Sequence, residues 1–233
     1  MSRLLVIRHG QASFGADNYD QLSDLGMLQS ERLADYILER EPRFSRLIVG
    51  PCQRHAQTAA PTVRKLQEKY GRCPDVETYE ELDEFDAFQL FALAEEAGHP
   101  AAKLFSDYAL EPDPGRQRQL SRALENLMRE WARGDFKAPS VESWGSVRTR
   151  VESCLRGIME AAGKGETIAV FTSGGPTGAA VGMALELTDE MAMKACWSVY
   201  NAGIADFLFS EGRMSLNRFN HTAHLNLEHL TRR

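Results

Sequence analysis

Leu4-Leu5-Val6-Ile7-Arg8-His9-Gly10 is the stretch whose reading decides the fold. An unbroken apolar run has no polar face to offer water, so it reads as a strand buried on both sides of a parallel sheet. Such a strand delivers its next residues to the carboxyl edge of the sheet, where open α/β folds bind ligands. A histidine delivered there between an arginine and a glycine can act as a nucleophile beside a cationic phosphate clamp.

The same pattern recurs outward along the chain. Leu47-Ile48-Val49 is a second buried strand, followed by Gly50-Pro51-Cys52-Gln53-Arg54. A third, shorter strand lies at Val76–Tyr79. Thr167–Thr172 is a fourth, and Ser173-Gly174-Gly175-Pro176 follows it into a small-residue helix, with Pro176 suited to the first turn. Between the strands lie helical stripes. Leu25, Leu28, Leu33, Tyr36 and Ile37 form one, ended by Pro42, and residues 53–70 form another, with a kink expected at Pro61. Leu120, Leu124, Leu127, Met128 and Trp131 make one face within a mostly helical stretch over 85–140. Val147, Val151, Leu155, Ile158 and Met159 mark a further amphipathic helix. Ile204–Phe209 and Met214–Phe219 flank Glu211-Gly212 as a hairpin. Alternating strands and helices predict an α/β fold: a three-layer α/β/α sandwich, mainly parallel, with an antiparallel edge at the hairpin. The whole of 1–233 reads as one domain, and 85–140 as a helical insertion over the active-site edge.

With 233 residues and 43% hydrophobic content the chain can bury a substantial core. Its net charge of −6 argues against nucleic acid or an anionic membrane as the main partner. Cys52, Cys73, Cys154 and Cys196 show no Cys-x-x-Cys spacing, so neither a zinc site nor a redox motif is indicated. No signal-peptide pattern and no transmembrane-length apolar run is evident, so the expected compartment is the cytoplasm.

The ordered set Arg8-His9-Gly10, Gln11-Ala12-Ser13-Phe14, Leu22-Ser23-Asp24-Leu25-Gly26, Gln29 and Arg54 with Gln57-Thr58-Ala59 resembles the histidine phosphatase superfamily, which includes the cofactor-dependent phosphoglycerate mutases. The resemblance implies that His9 becomes phosphorylated and that Arg8 and Arg54 bind the phosphoryl group. Planar, permanently charged guanidinium forks suit that task. It also implies a general acid after the third strand. Leu82-Asp83-Glu84 fits, making Glu84 the preferred acid, with its pKa raised if apolar walls enclose it, and Glu81 the competitor. Ser23 can cap the first helix or face the phosphate. Glu142-Ser143-Trp144 resembles the element that precedes a long helix in the family, with Val141 in place of a glycine. Phe14, Phe85, Phe88 and Trp144 are core residues or pocket walls.

The clearest departure is Ser173, which stands where the family has a second histidine. The helix behind it still offers N–H groups to an anion, so Ser173 and Gly174 are expected on the phosphate. His55 could substitute, but an adjacent helical residue points about 100° away from Arg54, which favours a solvent-facing or capping role. His221 and His224 belong to a structural C-terminal segment, and His99 and His229 read as loop and tail residues. The resulting expectation is a metal-independent phosphomonoesterase without a cofactor, acting on a small phosphorylated metabolite. The alternatives are a relative that only binds a phosphorylated ligand or partner, and a phosphoglycerate-type mutase.

Overall fold

The structure is a computed structural model and describes residues 1–13, 20–40, 43–110 and 114–232. Phe14 and Pro42 lie outside the described residues. A six-stranded sheet runs in the order β3-β2-β4-β1-β5-β6, with β1 Ser2–Arg8, β2 Arg46–Val49, β3 Val76–Thr78, β4 Thr167–Thr172, β5 Ile204–Ser210 and β6 Arg213–His221. The pairs β1–β4, β4–β2 and β2–β3 are parallel, and β1–β5 and β5–β6 are antiparallel.

The opening apolar run is explained by its two faces. Leu4 and Val6 join Ile168, Val170 and Phe207 in a core covered by α6 Trp144–Glu160, α7 Gly174–Leu185 and α8 Asp189–Ser198. Leu5 and Ile7 join Ala169, Phe171, Leu47 and Val49 in a second core, under α1 Asp24–Arg40 and α2 Gln53–Tyr70. Each side of the strand therefore removes apolar area from water, at roughly 25 cal/mol per Å². The result is an α/β/α sandwich.

The middle of the chain folds as α3 Ala87–Glu96, α4 Pro100–Leu110 and α5 Pro114–Arg133. Leu120, Leu124 and Leu127 tie α5 to Ala94 and Ala101, while Met128 and Trp131 extend from the same face into the main core. His99 does more than fill a loop. It accepts from Ala101 N–H at the start of α4, at 3.2 Å, and reaches Glu130 on α5 at 3.1 Å.

Two expectations need correction. The buried stripe of α1 runs through Gly26, Gln29, Ser30, Leu33, Ala34 and Ile37, and Leu28 is exposed. Polar residues hold that stripe because each finds a partner. Ser30 donates to Gly26 O, and Gln29 bonds Gln11 N–H, His229 O and Thr231 Oγ1. The second correction is α8, which the apolar pattern did not reveal. Thr188 caps it by accepting from Met191 N–H, with Asp189 and Glu190 in its first turn.

Candidate active site

β1, β4 and β2 end side by side. His9 N–H donates to Thr172 O at 2.8 Å, and Gly50 N–H donates to Phe171 O at 2.9 Å. Helices α1 and α2 cover one face, α7 and α8 the other, so the connections change sides between β1 and β4. That reversal opens a crevice at the carboxyl edge. His9, Ser173 and the start of α2 all lie there.

His9 is 4% exposed, and its Nδ1 lies 2.6 Å from Gly10 O. A carbonyl can only accept, so Nδ1 carries the proton and Nε2 keeps its lone pair. Burial, then the charges of Arg8 and Arg54, hold the His9 pKa well below its ordinary 6.5. The imidazole is therefore neutral at neutral pH. The loop after it is fixed from both sides. Gly10 N–H donates to Thr58 Oγ1 at 3.0 Å, and Asn201 Nδ2 donates to His9 O at 3.3 Å. Gly10 is small for a backbone reason: a Cβ there would lie 2.5 Å from Gly26 O.

Arg54 is 7% exposed. Its Nη1 donates to Asp20 Oδ1 at 2.7 Å and its Nη2 to Ser173 Oγ at 3.3 Å. Asp20 Oδ2 also accepts from Gln53 N–H at 2.8 Å. One carboxylate thus caps α2 and aims the guanidinium. Arg8 donates through Nη1 to Val199 O at 2.5 Å and to Arg232 O at 2.6 Å. Its charge acts on His9 and on Glu84, as does that of Arg54.

Glu84 lies at the N-terminus of α7. Both carboxylate oxygens accept from Gly175 N–H at 3.1 Å, and Oε1 accepts from Phe85 N–H at 3.2 Å. Burial raises its pKa above the ordinary 4.5, against those N–H groups and the two arginines. The segment carrying it is held by Arg150, which donates to Glu81 O and Asp83 O, and by Thr172 Oγ1, which donates to Leu82 O at 2.6 Å. Glu81 instead lines an outer cleft of about 520 Å³ with Arg46, Tyr79 and Cys154. The helix end expected to offer N–H groups to a phosphate at Gly174 therefore already holds a carboxylate. Gly174 lies beside Glu84, where a Cβ would be 3.7 Å from Oε2.

Ser23 caps α1, accepting from Gly26 N–H at 3.1 Å and donating to Gln11 Oε1 at 2.9 Å. Ser143 likewise caps α6. Phe85 and Trp144 belong to the core, and Phe88 is exposed. The Cys52 thiol, pushed up to about 12 by burial and by its bond to Asp83, is not poised as a nucleophile.

His55 departs most from expectation. It is fully buried, its Nε2 lies 2.6 Å from Ser173 Oγ, and its ring centroid is 5.8 Å from that of His9. It and Arg54 diverge from the first turn of α2, yet Ser173 sits between them and meets both. The gap suggested by a serine at 173 is filled.

A buried neutral histidine, a buried carboxyl of raised pKa and two arginines thus lie together at one sheet edge. The chain belongs to the histidine phosphatase superfamily, branch 1, whose model matches residues 4–98 and 104–222. No curated protein matches the sequence. Among solved structures it is similar to the phosphoserine phosphatase of Entamoeba histolytica, at 20% identity and a TM-score of 0.64, covering 97% of this chain and 100% of that one. It is also similar to the mycobacterial glucosyl-3-phosphoglycerate phosphatase, at 18% and 0.66, covering 96% and 100%. The phosphoglycerate mutase of Bacillus anthracis aligns at 15% and 0.64, covering 96% and 94%. No helix among the described residues is long and apolar enough to cross a membrane.

Proposed function

We propose that this chain is a phosphomonoesterase that passes a phosphoryl group from a small phosphorylated metabolite to His9 and then to water. The observation that carries the reading is the His9 tautomer. Gly10 O holds the proton on Nδ1, so Nε2 is a ready nucleophile in a pocket flanked by cations. Nε2 attacks phosphorus, the bond to the ester oxygen breaks, and Glu84 gives its proton to that oxygen. Glu84, now a carboxylate, takes a proton from water as the water attacks the phosphohistidine. Phosphate leaves, and His9 and Glu84 return to their starting states. Arg8 and Arg54 balance the charge on the phosphoryl oxygens, with Ser173 beside them. Ser23 and Gly174 support the loop and the helix end around the group. The similar proteins named for phosphoserine and glucosyl-3-phosphoglycerate support a small phosphorylated substrate. A screen of phosphorylated metabolites, with the His9→Ala variant as the blank, tests the reading and finds the substrate.

Gly175→Ala probes the acid without touching it. The new methyl would lie 2.1 Å from Glu84 Oε1 and 3.0 Å from Phe85 Cδ1, so the carboxylate has to move. A displacement of this size is expected to lower kcat by about 10²-fold, while the circular dichroism spectrum stays native. Retention of full kcat would separate Glu84 from the chemistry.

The two arginines supply the positive charge that a metal ion provides in other phosphatases. Hydrolysis of p-nitrophenyl phosphate is therefore expected to persist in EDTA. Loss in EDTA with recovery on adding magnesium or zinc would sink the arginine-based mechanism.

A further inference from the structure

His55 and Ser173 are both buried, both polar, and not used by the steps above. Their arrangement gives them a task. A serine at the start of a helix ordinarily turns its hydroxyl back to accept from that helix's own N–H groups, a stabilising contact. Ser173 forgoes this, and makes no side-chain cap of α7. Its hydroxyl turns toward the crevice instead, to His55 Nε2 at 2.6 Å and Arg54 Nη2 at 3.3 Å. Room for the imidazole is built in. A Cβ on Gly50 would lie 2.5 Å from His55 Nδ1.

We propose, resting on the reading of His9 above, that His55 and Ser173 act as one unit in phosphoryl transfer: His55 Nε2–H donates to Ser173 Oγ, and Ser173 Oγ–H donates to an oxygen of the group moving onto His9. The hydrogen-bond accounting supports it. A serine hydroxyl has two acceptor sites and one proton. The unit takes the Nε2–H tautomer of His55, whose Nδ1 finds no hydrogen-bond partner of its own among the described residues. With Arg54 and His55 then both donating, the acceptor sites are filled and the proton is left to point at the phosphoryl group, whereas a proton on Nδ1, toward the Gly50 backbone, would make Nε2 the acceptor and turn the hydroxyl away from it. No proton changes hands. His55 stays neutral throughout, since burial and then the Arg54 charge push it down to about 3. A third full positive charge beside Arg8 and Arg54 is thereby avoided. Ser173 is the group that touches the phosphoryl oxygen, and His55 is the positioning residue behind it.

The test is a double-mutant cycle on p-nitrophenyl phosphate hydrolysis, with thermal melts for every variant. Ser173→Ala is expected to lower kcat by about 10²-fold, the usual cost of one transition-state donor, with little change in KM. His55→Phe keeps the ring but removes the donor, and is expected to cost about tenfold. His55→Gln, whose amide can still donate, should recover part of that loss. The double variant Ser173→Ala/His55→Phe should be no slower than Ser173→Ala alone, because His55 acts only through Ser173. Losses that multiply, or a His55→Phe enzyme as fast as the wild type, would overturn the unit. If His55→Phe fails to fold, a Ser173→Ala enzyme with unaltered kcat would overturn it equally. His9→Ala run alongside separates the two readings. An active His9→Ala enzyme refutes the phosphohistidine reading itself. An inactive one, beside fully active Ser173 and His55 variants, refutes only the unit.

Discussion

Replacing His9 with alanine is expected to bring phosphomonoester hydrolysis to background, a loss of roughly 10⁴-fold or more, the scale on which removal of a covalent nucleophile is felt. The size follows from the position of the residue. Its Nε2 lone pair is exposed to the crevice by the Nδ1 bond to Gly10 O, and burial with Arg8 and Arg54 keeps it unprotonated. Among the described residues nothing nearby duplicates it. His55 is turned toward Ser173, and the Cys52 thiol is held protonated. Arg8 and Arg54 remain in the variant, each anchored by contacts that His9 does not make. Inorganic phosphate should therefore still inhibit or bind the variant, measured by calorimetry, while turnover vanishes. Turnover within tenfold of the wild type would remove His9 from the chemistry.

The second large effect is expected at Glu84. Glu84→Gln should slow hydrolysis of alkyl phosphates by about 10²–10⁴-fold, and that of p-nitrophenyl phosphate far less, because its leaving group needs little protonation. Glu81→Gln should do little on either, since Glu81 lines the outer cleft. The pH profile carries the same information. Burial raises Glu84 above 4.5, so the protonated, proton-giving form survives to higher pH and is lost as pH rises through that raised pKa. His9 is lowered below 6.5, so it protonates, and ceases to be a nucleophile, only as pH falls well below that value. Activity on alkyl phosphates should peak between the two limits, and Glu84→Gln should erase the alkaline limb. Equal losses on both substrate classes with an unchanged profile would make Glu84 structural.

The inner strands β1, β2 and β4 are legible because they are apolar on both faces, and local sequence carries that signal without help. The same holds for the residues delivered at strand exits, His9, Arg54 and Ser173. What was hidden depends on contacts between distant segments. The Asp20 carboxylate reads as an ordinary loop acid until its caps on α2 and its pair with Arg54 are seen. His55 and Ser173 are 118 residues apart, and the helical angle from Arg54 pointed the wrong way. That angle describes Cβ directions, whereas the long Arg54 side chain can bend back to a group that His55 reaches directly. The buried stripe of α1 departs from its apolar pattern for a related reason. Gln29 and Ser30 are tolerated in the core by partners elsewhere in the fold, including the segment at His229 and Thr231. The start of α8 is marked by Thr188-Asp189-Glu190, a capping signal and not an apolar stripe.

Trapping the phosphorylated protein tests the His9 route without an intermediary. The chain is mixed with excess p-nitrophenyl phosphate, quenched in alkali within the first turnovers, digested and mapped by mass spectrometry. A phosphoryl group is expected on the peptide bearing His9, stable in base, lost in mild acid and absent from His9→Ala. A phosphoryl group stable in acid and located on Ser173, or a steady release of phosphate with no phosphorylated peptide under any quench, would contradict it.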